Sequence, residues 1–212
     1  LGAPLSLHIA KKHGCKAYFV DPVSVDELTD KARVSGFKGM ERESFFHALN
    51  QKAIARKAAE VLGKPYEELN LIVCHMGGGV SVAAHQQGLV VDNYNVKDEG
   101  AFGMDRGGSL PVNAVINLCF SGKTKQEVKK MLGSEAGIFS YLGTRDFREV
   151  EARAFDRNEP EAKLIFDAFA YQLCKDAGAM SAVLGFKVDA FVLTGGMAYS
   201  DRLCAAIEGY LG

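Results

Sequence analysis

HMGGGVSVAAH, residues 75–85, follows directly on the apolar run NLIVC of residues 70–74, and the two stretches together decide the architecture. An unbroken apolar, β-favouring run that ends in three glycines reads as a buried strand entering a tight turn. Val80–His85 then reads as the return strand and Leu89–Asp92 as a third, which makes a glycine-turned antiparallel meander. Without a Cβ at Gly77, Gly78 and Gly79, the backbone there can approach an anion closely and present its N–H groups to it.

Downstream, Asp189–Leu193 (DAFVL) predicts a further strand closed by Thr194–Gly195–Gly196, with a capped helix beginning at Ser200. The two glycine turns stand in different settings, strand to strand and strand to helix. Either alone reads as a plain tight turn as readily as a phosphate turn. Between them, residues 93–110 (NYNVKDEGAFGMDRGGSL) carry four glycines and five charged residues without periodicity, the composition of a functional loop. Pro111 suits the first position of a helix, and residues 111–185 read as a helical subregion. Within it, Leu164, Phe166, Phe169, Tyr171, Leu173, Met180 and Val183 are spaced to cover a sheet face. Upstream, the patterns predict helices over Pro4–His13 and Glu41–Leu62, a short helix through Asp26–Leu28 capped by Ser24, and a strand over Cys15–Val20 ending at Asp21–Pro22.

Apolar residues make up 48% and charged residues 24% of the 212, enough to fold around a sizeable core. Twenty-five basic residues balance 26 acidic ones, and no basic run offers the footprint that nucleic acid needs. Five scattered cysteines without paired spacing read as reduced, buried thiols. No window approaches the roughly 20 apolar residues of a membrane span, and no charged-then-apolar signal opens the chain, so no membrane partner and a cytoplasmic location are expected. FSGKT at residues 120–124 imitates the end of a P-loop, but Asn117 stands where the earlier glycine belongs and a helical pattern precedes it. The glycines of HMGGG suit a lipase oxyanion hole, yet the chain holds no G-x-S-x-G elbow.

The paired glycine turns resemble those of the actin, hexokinase and heat-shock ATPase superfamily, where one turn holds the distal phosphates and the other the adenosine and α-phosphate. That resemblance implies an α/β fold: an actin-like ATPase (ribonuclease H-like) domain whose mixed sheet contains an antiparallel meander and carries flanking helices. The blocks VDPVSVDEL (20–28), FFHALNQKAIAR (45–56), HMGGGVSVAAH (75–85), DEGAFGMDRGGSLP (98–111) and LTGGMAYS (193–200) together resemble butyrate kinases and their branched-chain carboxylate relatives of the acetokinase family. Order and spacing agree over essentially all 212 residues. Acetate kinases would carry HLGNG in place of HMGGG and GTRSGD in place of DRGGSLP.

The resemblance implies reversible phosphoryl transfer between ATP and butyrate or isobutyrate, giving the acyl phosphate and ADP with Mg2+ as cofactor. Arg106 would stabilise the transferring phosphoryl, and His47 would donate to one of its equatorial oxygens. Asp21 would help hold hydrated Mg2+. His75 with Gly77, Gly78 and Gly79 would form the phosphate turn, Gly195 and Gly196 the α-phosphate and adenosine turn, and Asp146, Phe147 and Arg148 the border of the adenine pocket. By residue type alone, Arg106 also reads as a solvated loop arginine and His47 as a satisfied buried histidine. Asp21 likewise reads as a turn residue and Asp146 as a helix cap. The N-P-G-S-type loop with which family members begin, and their late Mg2+-assisting glutamate, are not found here. Residues 1–212 are therefore expected to be one actin-like ATPase domain of a longer two-domain, homo-oligomeric kinase, with little or no turnover alone.

Overall fold

The protein is described by a computed structural model covering residues 2–212. Asn70–Met76 forms β1, Val80–Gln86 β2 and Leu89–Asn93 β3; Ala190–Thr194 returns as β4, and the sheet order is β3-β2-β1-β4. The first three strands are antiparallel, while β4 lies parallel to β1, with Cys74 opposite Leu193 and His75 opposite Thr194. The sheet is therefore mixed. A parallel neighbour requires a crossover, and residues 94–189 supply it as a long excursion through helices.

β1 is apolar on both faces because both are covered. On one side Leu71 and Val73 meet Ala55 and Ala59 of α3 (Ala48–Leu62). On the other, Ile72, Cys74 and Met76 join Val80, Val82 and Ala84 of β2 beneath Phe166, Phe169, Leu173, Ala177 and Met180 of α8 (Pro160–Val183). α1 (Gly2–His13) and α2 (Asp30–Arg33) precede α3; α4 (Val112–Cys119), α5 (Lys125–Ser134), α6 (Gly137–Leu142) and α7 (Phe147–Glu151) precede α8; α9 (Asp201–Leu211) follows β4. Ser200 caps α9 by accepting from the Leu203 N–H at 2.9 Å.

Three expectations need correction. Residues 15–20 form no strand: Tyr18, Phe19 and Val20 are exposed and pair with no sheet edge, and β-propensity alone supplies no ladder. Residues 24–28 and 41–47 are not helical, because their hydrogen bonds run to other segments. Glu27 accepts from the Val90 N–H, Phe46 N–H donates to the Val23 carbonyl, and Phe45 C=O accepts from Val96, so these segments cover the β3 side of the sheet. Of the cysteines, all free, only Cys74 and Cys174 are buried; Cys15 and Cys119 are exposed, the latter on α4, which buries none of its residues. Among the described residues, no helix is long and apolar enough to cross a membrane.

Candidate active site

Parallel pairing sends β1 and β4 into their glycine turns at the same edge of the sheet. There Gly77 N–H closes the first turn on the Gly79 carbonyl at 3.0 Å, leaving the amides of Gly78 and Gly79 outside that bond. Gly195 holds φ 91° and lies so close to the end of β1 that a Cβ on it would stand 2.4 Å from the Met76 carbonyl oxygen. Only glycine fits. The two turns are thus in contact, and Gly77, Gly78, Gly196 and Met197 line one cavity of about 390 Å³ together with Asp146 and Arg148. A cavity of that size lies in the ordinary range for small-molecule sites, on the order of 300–1,000 Å³.

The loop of residues 94–111 brings Arg106 to this turn: its Nη1 stands 3.0 Å from where a Gly79 Cβ would be. The loop is pinned from beneath. Asp176 on α8 accepts from the Ala101 N–H at 2.6 Å, and burial pushes its carboxyl up to about 6. Gly137 packs its backbone against the loop, where a Cβ would meet the Gly103 carbonyl at 2.2 Å. Ile138 N–H donates to that same carbonyl at 3.0 Å, and Gly103 N–H donates to the Arg106 carbonyl at 2.9 Å.

His47, at the start of α3, and His75, near the end of β1, stack with ring centres 3.8 Å apart. Burial, then the neighbouring His75 and Arg106, pushes His47 down to about 4; burial also lowers His75. Both rings are therefore neutral at pH 7, and serve as hydrogen-bonding groups instead of cations. His75 Nδ1 lies 2.7 Å from Asn50 Oδ1, which also accepts from the Thr194 hydroxyl at 3.2 Å, so one amide bridges the ends of β1 and β4. His47 Nδ1 lies 2.8 Å from the Ser81 hydroxyl. Sequence reasoning passed over Asn50, Gln51 and Ser81. The signal was available as His47-x-x-Asn50-Gln51, a polar i, i+3, i+4 stripe on the side of α3 that turns toward the sheet.

The block of residues 146–148 divides. Asp146 caps α7 by accepting from the Arg148 N–H at 3.0 Å and pairs with the exposed Arg148 guanidinium, which lowers the Asp146 pKa. Phe147 is buried, packs its ring against Phe166 and Phe169, and also lines the cavity. Asp21 stands apart. It occupies a bend with φ 41°, its carboxylate 3.7 Å from Arg56 on α3. Arg56 is nine residues beyond His47, ~13 Å along the helix at 1.5 Å per residue. Among the described residues no group of three His, Cys, Asp or Glu side chains could hold a metal. Asp21, facing Arg56, offers a single carboxylate, and Mg2+ carried on a nucleotide takes one or two carboxylates from a protein, with water and phosphate oxygens completing its shell.

The sequence model of the acetokinase family matches residues 38–206, well over half of the chain. Among solved structures, the chain is similar to an acetate kinase from Porphyromonas gingivalis (23% identity, TM-score 0.77, 85% of this chain and 47% of that one). It is also similar to a propionate kinase from Francisella tularensis (23%, 0.76, 87% and 50%) and to an acetate kinase from Entamoeba histolytica (19%, 0.77, 87% and 51%). The chain spans about half the length of these structures. At such identities the likeness shows the fold, an α/β actin-like ATPase architecture with a mixed sheet and flanking helices. On the match over residues 38–206, the chain belongs to the acetokinase family.

Proposed function

We propose that this chain forms part of a short-chain carboxylate kinase acting on butyrate or isobutyrate, transferring the γ-phosphoryl of ATP to the carboxylate. The observation that carries this reading is the contact between the Gly77–Gly79 and Gly195–Gly196 turns along one cavity, with the Arg106 guanidinium at Gly79. In the reaction a carboxylate oxygen bonds to the γ-phosphorus as the bond to the ADP oxygen breaks, and negative charge spreads over three equatorial oxygens. The protein's task is alignment and neutralisation of that charge. Arg106 supplies a planar, permanently charged donor; Gly78 and Gly79 supply backbone amides; the neutral His47 supplies a further donor without adding a second cation beside Arg106.

Butyrate is preferred over acetate because HMGGG and DRGGSLP depart from the acetate-kinase pattern at the turn and the loop that meet here. The test is a coupled ADP-release assay on the full-length enzyme with butyrate, isobutyrate, propionate and acetate. Butyrate is expected to exceed acetate in kcat/KM by about 10-fold or more, the scale of methylene discrimination in an apolar pocket. A higher value with acetate or propionate would reassign the substrate; no turnover with any of the four would end the carboxylate-kinase reading.

A further inference from the structure

Behind His47 runs a line of polar side chains with almost no exposure to solvent: Ser81 at 1%, Gln51 and His85 at 0% and Tyr66 at 5%. Their hydrogen-bonding roles follow from one group that can only accept, the Ser81 backbone carbonyl. The Gln51 side-chain amide lies 3.0 Å from it, so Nε2 must be the atom that faces it. Gln51 Oε1 then faces His85 Nε2 at 3.1 Å, and an amide oxygen also only accepts. His85 therefore carries its proton on Nε2. Its Nδ1, bare in the neutral ring, accepts from the Tyr66 hydroxyl at 2.7 Å.

The second Gln51 N–H reaches the Ser81 hydroxyl oxygen at 2.9 Å. The hydroxyl proton needs an acceptor of its own. Among the described residues, the group available to take it is His47 Nδ1 at 2.8 Å. We propose that Ser81 is a positioning residue: its O–H donates to His47 Nδ1, holds the imidazole in the Nε2–H tautomer, and leaves that N–H at the opposite edge of the ring as a neutral donor.

His47 then serves as a donor and not as a base, since its bare nitrogen is already occupied by Ser81. Gln51 is fixed in turn by the Ser81 carbonyl, so the tautomer is set by two buried strand and helix residues and not by solvent. Use of the Nε2–H on a phosphoryl oxygen rests on the carboxylate-kinase reading; the tautomer itself does not.

The test is long-range 1H–15N correlation of the imidazoles at pH 7.5 in the intact protein labelled with 15N-histidine, the His47 signals being assigned by their loss in His47→Gln. The wild type is expected to show His47 as the Nε2–H tautomer with a hydrogen-bonded Nδ1. In Ser81→Ala that pattern should give way to a mixture of tautomers, while His85 keeps its Nε2–H signature and reports an intact fold; Ser81→Thr should restore the wild-type pattern. A wild-type His47 protonated on Nδ1, or a tautomer unchanged in Ser81→Ala, would overturn the proposal. If Ser81→Ala does not fold, the wild-type tautomer still decides. In the full-length enzyme, Ser81→Ala should lower kcat with little change in the KM for ATP. The expected tautomer in an enzyme that turns over no carboxylate would defeat the functional reading and leave the role of Ser81 standing.

Discussion

Arg106 packs its guanidinium beside Gly79, and its planar fork of N–H donors is one that a lysine ammonium cannot reproduce. If it neutralises the transferring phosphoryl, Arg106→Ala in the full-length enzyme should lower kcat/KM by about 10²–10³-fold, and Arg106→Lys should recover little. Steady-state kinetics on variants with unchanged thermal melts would check this, and a loss of under a few-fold would remove Arg106 from the chemistry. Gly195 makes the sharper structural demand. Its φ of 91° with ψ 175° is a glycine conformation, and a Cβ would press into the Met76 backbone. Gly195→Ala should therefore cost on the order of 3 kcal/mol in urea unfolding. A variant of unchanged stability would mean that the two turns do not touch in solution.

At the scale of the elements, α3 and β2 act as a pair: α3 contributes Gln51 and β2 contributes Ser81 and His85. His85 is wholly buried, and burial, with Lys52 nearby, pushes its pKa down to about 3. In the unfolded chain it titrates near 6.5. Between those values the unfolded state binds a proton that the native state refuses, so stability falls as pH drops from about 6.5, by at most about 1.4 kcal/mol per pH unit for this one group. Asp176, raised to about 6, acts in the opposite sense over the lower part of the window. The measurable quantity is therefore a difference. Wild type should lose more stability than His85→Gln between pH 7 and pH 4, and parallel curves would show that His85 is protonated or solvated in the folded protein.

For the whole molecule, the cavity between the two turns predicts linkage between nucleotide and folding. ADP at 100 times its Kd should raise the unfolding free energy of the full-length enzyme by about 2.7 kcal/mol, read as a higher Tm. Gly195→Ala should blunt that response as well as lower the starting stability. A Tm indifferent to ADP would remove the nucleotide from this cavity. The long crossover from β3 to β4 carries the Arg106 loop, the 146–148 block and α8, so one excursion supplies one wall of the cavity, opposite the two glycine turns, and much of the core beneath it.

Local chemistry made much of this legible. NLIVC, VSVAAH and DAFVL are apolar runs bounded by glycine or turn residues, and they appear as β1, β2 and β4; Pro160 begins α8 at the first turn, where its missing N–H is not needed, and Ser200 caps α9. Both glycine turns were visible as composition. Their contact was not, because it depends on β4 pairing parallel to β1 across an excursion of nearly a hundred residues, a non-local choice that no window of sequence contains. CKAYFV failed as a strand for the same kind of reason: propensity needs a partner edge, and residues 15–20 pair with neither β3 nor β4, the two edges of the sheet. Sequence alone thus determined which residues could turn, extend or coil. Tertiary structure decided which of them meet, setting Arg106 on Gly79, His47 on Ser81 and Asp21 on Arg56, since hydrogen bonds and packing are satisfied by neighbours in space and not along the chain.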